Sequence, residues 1–193
     1  GGGGQDKGQA VISDDLFARA DTIRALAADG VPMLLICGLY QLFGEYFETH
    51  EGERLPGINV LGVHTIGQDT RMIGNLVEQT EECGAIVGYE NHSGQTIVHD
   101  DGTVAWGRVE AEGTGNNGSD LTEGARKYNV IGTYMHGSVL PKNPQLADFL
   151  IRTAAEHRYG SFEASSTAEQ TDQLEKLNAL AAAAFGVASS RPR

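Results

Sequence analysis

Two short segments carry residues whose types fit a thiol reaction. The first is Val31-Pro32-Met33-Leu34-Leu35-Ile36-Cys37-Gly38, an apolar strand pattern that closes on a thiol and then glycine. Behind it, Leu39-Tyr40-Gln41-Leu42-Phe43-Gly44-Glu45-Tyr46-Phe47 places apolar residues at helical spacing and predicts a helix over 40–48. A strand that turns sharply into a helix at a nucleophile lifts the side chain out of the sheet, and a helix N-terminus favours the thiolate. A buried, inert cysteine at the end of a core strand has the same pattern, so this segment alone leaves both readings open. The second segment is Asn129-Val130-Ile131-Gly132-Thr133-Tyr134-Met135-His136-Gly137, again a strand pattern, ending in histidine and glycine. A thiol nucleophile needs a base to take its proton and return it to the leaving group. Cysteine and histidine at the ends of neighbouring parallel strands would meet at the carboxyl edge of an open sheet.

Ile36-Cys37-Gly38-Leu39-Tyr40-Gln41 resembles the nucleophile motif of class I glutamine amidotransferases, Cys-Gly-x-x-Gln, and Gly132 to Gly137 resembles the histidine motif of their cobyric-acid-synthase-like branch. Gly2-Gly3-Gly4-Gln5-Asp6, Gly88-Tyr89-Glu90-Asn91-His92-Ser93-Gly94, Gly115-Asn116-Asn117-Gly118 and Leu140-Pro141-Lys142-Asn143-Pro144 are similar to the glutaminase subunits of lipid II isoglutaminyl synthases. The resemblance covers residues 2 to about 158. It implies an α/β fold, the three-layer open sheet of the flavodoxin-like type. Family members carry one or two strands before the glycine loop, so the first strands are expected to be missing here.

The resemblance also implies a reaction. Cys37 would attack the side-chain carboxamide of glutamine, and backbone N–H groups of Gly38, Gly3 and Gly4 would hold the resulting oxyanion. His136 would protonate departing ammonia, leaving a thioester for water to hydrolyse. Arg71 stands where the family has its substrate arginine, and a guanidinium matches an α-carboxylate with two parallel hydrogen bonds; a solvated surface arginine is the plainer reading. Two departures stand out. Leu39 replaces the usual glycine after Cys-Gly, and Ser138 stands where the wider class has glutamate, so a carboxylate two residues after the histidine is excluded.

The glycine run lacks the Gly-Lys-Ser/Thr ending of a P-loop. ATP and its metal are therefore expected on a Mur-ligase-like synthetase partner, in a heterodimer, with no cofactor on this chain. A zinc site built from His64, Glu90 and His92 has poor spacing and no cysteine. The net charge of −12 over 193 residues argues against nucleic acid and against anionic membrane surfaces. No apolar run reaches the ~20 residues of a membrane span. Two cysteines point to a reducing cytoplasm, with Cys83 an inert thiol whose neighbours Glu81 and Glu82 raise its pKa.

Several elements should position these groups. Ser13 is expected to cap a helix over 14–29 stopped by Gly30, followed by a strand over 31–36. Strands are expected at 58–66, 72–79 and 84–89, and a hairpin at 96–106 turning on Asp101-Gly102. A strand at 129–135 should lead to a helix over 144–157 with Asn143 as cap and Pro144 at its first position. Residues 1–158 form the amidotransferase domain in this reading. A small, polar linker over 159–168 and an alanine-rich helix over 169–185 follow, the helix packing on its own domain. Two alternatives remain: an amidotransferase for another acceptor such as a corrinoid carboxylate, and an interaction subunit in which Leu39 and the missing N-terminal strands have cost the activity.

Overall fold

The computed structural model describes residues 6–191, with side chains from Ile12 onward. Gly3 and Gly4, expected at the oxyanion, lie outside the described residues. Two helices come first, α1 (Asp6–Ala18) and α2 (Ala20–Ala28), instead of one helix capped by Ser13. The break has a local cause at Arg19. Its Nη1 donates to the Asp15 carbonyl at 3.1 Å, the oxygen its own N–H would take in a continuous helix. That N–H turns to Leu16 O at 3.1 Å instead, and the axis resets. Gly30 ends α2 as expected, donating to Ala27 O at 3.0 Å.

The strand β1 (Met33–Ile36) runs into the short helix α3 (Gly38–Leu42). The expected helix over 40–48 is thus cut at Leu42. Glu45 N–H is drawn to Val63 O at 2.7 Å, and Tyr46–Glu48 becomes strand β2. It pairs antiparallel with β3 (Arg54–Pro56) and parallel with β4 (Val63–Thr80). Helical spacing in this stretch yields to strand pairing, as local preference often does when a sheet edge is available.

The expected strands 58–66 and 72–79 are one element. β4 is continuous through a register shift between Gly67 and Met72, and residues 58–62 lie outside it. Its partner β5 (Gly84–Val98) returns antiparallel along nearly its whole length. The expected hairpin at 96–106 is replaced by this ribbon. After the turn at Gly102, Val104 exchanges both backbone hydrogen bonds with Arg126, at 2.9 and 2.8 Å, and does not fold back on β5.

The later strands are β6 (Gly107–Val109), β7 (Thr122–Glu123), β8 (Ala125–Lys127) and β9 (Val130–Thr133). β1 and β9 pair in parallel, Ile36 opposite Thr133, with β8 antiparallel on the far side of β9. The other strands form a second, mixed sheet in the order β3-β2-β4-β6-β7, with β5 on β4. Side chains of the small sheet alternate between two cores. Leu35 and Val130 join Ala20, Ala27, Tyr40 and Phe43 on the α1–α3 side. Leu34 and Ile131 join Leu76, Ile86, Leu146 and Phe149 on the other, beneath α4 (Val139–Lys142) and α5 (Pro144–Tyr159). Each face of the β1–β9 pair is therefore covered, the layering expected of such a fold.

Pro144 opens α5 as expected, but the Asn143 side chain does not cap it. Buried Asn143 instead accepts from Val87 N–H at 2.9 Å and donates to Val87 O at 2.8 Å, pinning β5 to α5. Residues 160–167 form an exposed connector. α6 (Ala168–Ser189) starts at a capping box of Thr167 and Gln170 and is longer than expected. It touches α4, β4 and β5, yet Leu174, Leu177, Leu180 and Val187 remain exposed. No helix among the described residues is long and apolar enough to cross a membrane.

Candidate active site

Cys37 sits between β1 and α3 with φ 54° and ψ −109°, a left-side backbone conformation that a non-glycine residue adopts at a cost of roughly 1–3 kcal/mol. The elbow read from the sequence is present in backbone terms, with Leu39 inside α3 where the family has glycine. What holds it strained is packing. Tyr40, fully buried, packs against Gly132 of β9, where any Cβ would run into its ring. Gln41 donates its Nε2 to the Tyr134 hydroxyl at 3.1 Å. Cys37 N–H donates to Thr133 O at 2.9 Å, which extends the β1–β9 ladder by one rung.

That register brings the two sequence motifs together. Thr133 faces Ile36, and the chain after it carries Tyr134, Met135 and then His136 along the same edge that bears Cys37. Both Cys37 and His136 are half-buried. The backbone N–H of His136 donates to Tyr89 O at 2.8 Å, and its ring Nδ1 lies 3.2 Å from the same oxygen. A carbonyl can only accept, so Nδ1 carries a proton, and in the neutral ring Nε2 then has its lone pair for chemistry. Among the described residues no carboxylate hydrogen-bonds this imidazole. Ser138 is exposed, at the entry of α4.

Arg71 lies in the irregular stretch between Gly67 and Met72 and is exposed. Its Nε and Nη2 both donate to Asn91 Oδ1, at 3.1 and 2.7 Å, and Nη2 also reaches Asn91 O at 3.2 Å. The guanidinium edge suited to a carboxylate therefore holds a side-chain amide oxygen. Asn91 is two residues beyond Tyr89, so β5 carries the anchors of both His136 and Arg71. Gly38, at the start of α3, is buried behind Cys37.

Beneath the elbow is a polar network that sequence reasoning did not assemble. Tyr134 OH is 2.6 Å from Thr96 Oγ1, which is 2.7 Å from Thr65 Oγ1. Gly94 admits Gln41, whose Nε2 would lie 2.6 Å from a Cβ there. His92 stacks on the Tyr134 ring with centroids 3.5 Å apart and planes 3° from parallel. Its Nδ1 meets Gly94 O at 2.8 Å and its Nε2 meets Glu90 Oε2 at 3.3 Å, an oxygen that also accepts Gly115 N–H at 2.9 Å. Burial lowers the His92 pKa to about 4 and pushes that of Tyr134 up. His92 and Glu90 thus form part of the buried floor, 0–2 % exposed. Tyr134 within the histidine motif was the available signal, because a buried tyrosine needs a partner for its hydroxyl.

His64 pairs with His99 at 2.6 Å, and His99 with Glu45 at 3.0 Å, away from His92. Among the described residues no group of three or more His, Cys, Asp or Glu side chains is placed to hold a metal. Cys83 is half-buried, and its thiol pKa is raised by that burial; the neighbouring carboxylates, invoked from the sequence, are not the leading cause.

The chain is similar to several known proteins. Residues 1–144 match the CobB/CobQ-like glutamine amidotransferase domain. The chain is 40% identical over 162 residues to a protein of Staphylococcus aureus (strain N315) named lipid II isoglutaminyl synthase (glutamine-hydrolyzing) subunit GatD, covering 84% of this chain and 65% of that one. The Streptococcus pneumoniae (strain ATCC BAA-255 / R6) protein of the same name is 40% identical over 162 residues, covering 82% and 61%. The chain thus spans less than two thirds of the length of these relatives. A cobyric acid synthase of Chlorobium phaeobacteroides (strain DSM 266 / SMG 266 / 2430) is 33% identical over 128 residues, or 62% of this chain and 25% of that one. A crystal structure of a glutamine amidotransferase shares the fold with TM-score 0.59 and 16% identity, covering 80% of this chain and 77% of that one.

Proposed function

Because the chain belongs to the CobB/CobQ-like glutamine amidotransferase family, we propose that it hydrolyses glutamine to glutamate and ammonia with Cys37 as nucleophile and His136 as general acid–base. The observation that carries this reading is the pairing of Ile36 with Thr133, which sets the strained Cys37 and the Nδ1-protonated His136 on one edge. In the reaction, His136 Nε2 takes the thiol proton and the sulfur adds to the carboxamide carbon. The oxyanion is held by the Gly38 N–H, with Gly3 and Gly4 as the second donors. His136 returns the proton to nitrogen and ammonia leaves. Water, deprotonated by the same Nε2, then cleaves the thioester to release glutamate and the free thiol. Arg71 orients the substrate α-carboxylate, which takes over the fork now filled by Asn91.

Ammonia at neutral pH is mostly protonated and no longer nucleophilic, so direct delivery to a second site is advantageous. The joint reaction in this reading is amidation of lipid II D-glutamate to D-isoglutamine by a Mur-ligase-like, ATP-dependent partner in a cytoplasmic heterodimer. The 40% identity to proteins named as subunits of lipid II isoglutaminyl synthase supports it. The test mixes chain, synthetase, ATP, glutamine and lipid II and measures isoglutaminyl product. Product that depends on Cys37 at limiting free ammonia is expected. Equal product with Cys37→Ala, or no complex in light scattering, overturns the reading.

A further inference from the structure

The mechanism leaves a buried acid pair unused. Glu123 of β7 and Glu78 of β4 are both 0 % exposed, beside the end of β9. Glu123 Oε2 accepts the Thr133 hydroxyl at 2.8 Å, and Oε1 accepts the Tyr134 N–H at 2.7 Å. The Thr133 hydroxyl in turn accepts the Met135 N–H at 3.0 Å. The carbonyl of the same threonine takes the Cys37 N–H at 2.9 Å. Thr133 is therefore the junction between the nucleophile and the residues that lead to His136, and Glu123 holds the junction from below.

We propose that Glu123 is a positioning residue for the glutaminase reaction: through Thr133 and Tyr134 it fixes the end of β9, and thereby sets Cys37 and His136 against each other. The inference rests on the glutaminase reading of the site. Both Glu123 oxygens are filled by donors from the end of β9. Burial first, then the charge of Glu123, drives the Glu78 pKa well above the usual carboxylate range, and burial raises that of Glu123 as well. The two carboxyls are close enough to perturb each other's ionisation, although neither Glu78 oxygen completes a hydrogen bond in this geometry.

Thr133→Val keeps the shape and deletes the hydroxyl relay, and Glu123→Gln keeps one acceptor and replaces the other by a donor. Each is expected to lower kcat roughly ten- to hundred-fold, since small misplacements of reacting groups have costs of this size. KM for glutamine should stay within about two-fold, the signature of an interaction felt in the transition state only. Thr133→Ser, which restores the hydroxyl, should recover most of the turnover. Two-bond proton–nitrogen spectra of the His136 ring provide a readout independent of activity. The parent should show the Nδ1–H form and the two variants a mixture of tautomers. Variants with a lower melting temperature but parental kcat and parental ring spectrum overturn the proposal. A parent with no glutamine turnover at all indicts the glutaminase reading instead, and the ring spectra still decide whether Glu123 positions His136.

Discussion

At the scale of single residues, the site makes sharp predictions. Cys37→Ala and Cys37→Ser should abolish glutamine hydrolysis and labelling by a glutamine-mimicking electrophile, whereas Cys83→Ala should leave both intact; mass mapping of the label decides. His136→Ala should cut turnover by ~10²-fold or more, the range general acid–base catalysis supplies. Arg71→Ala should chiefly raise KM, and Arg71→Lys should not restore it, because a point charge cannot replace the planar fork. His92 links the site floor to pH. Its folded pKa of about 4 lies below the ordinary 6.5, so the unfolded chain binds the extra proton first. The stability of the neutral, buried ring is present in full above about pH 6.5 and drains away as pH falls to about 4, by up to ~3 kcal/mol. Urea unfolding of the parent across that window should show the slope, and His92→Gln should flatten it.

At the scale of elements, the local devices were legible and the long-range ones were not. The strand before Cys37, the strand before His136 and the stop at Gly30 each depend on a handful of adjacent residues, and each stands where the pattern puts it. The helix over 40–48 failed because Tyr46–Glu48 pairs with residues 64–66, a choice made by distant partners. The turn at Asp101-Gly102 was real, but Val104 found Arg126. Tyr134 with Thr96, and Thr133 with Glu123, meet only once the sheet registers are set. Gly132→Ala tests the elbow as an element. The added methyl must displace the Tyr40 ring, so destabilisation of about 1–3 kcal/mol is expected, with loss of turnover at temperatures where the variant is still folded.

For the whole molecule, the family match covers residues 1–144, and α6 lies beyond it, touching α4, β4 and β5. Only Ala181 of that helix is buried. Removing residues 161–193 should leave glutamine hydrolysis within about two-fold and shift stability little, since few apolar side chains lose their cover. Differential scanning calorimetry and a glutaminase assay on the shortened chain measure this directly. A collapse of turnover would place α6 within the catalytic unit.

The tether of His136 to the main-chain oxygen of Tyr89 has a consequence for mutational robustness. An orienting carboxylate can be erased by a single base change, but a peptide carbonyl is encoded by every residue that occupies its position. The Tyr89 side chain, 39% exposed, is free to drift without disturbing the tautomer of the histidine. Saturation mutagenesis at position 89 should accordingly return active variants across most side-chain types. The histidine of this site is held by a part of the chain that point mutation cannot delete.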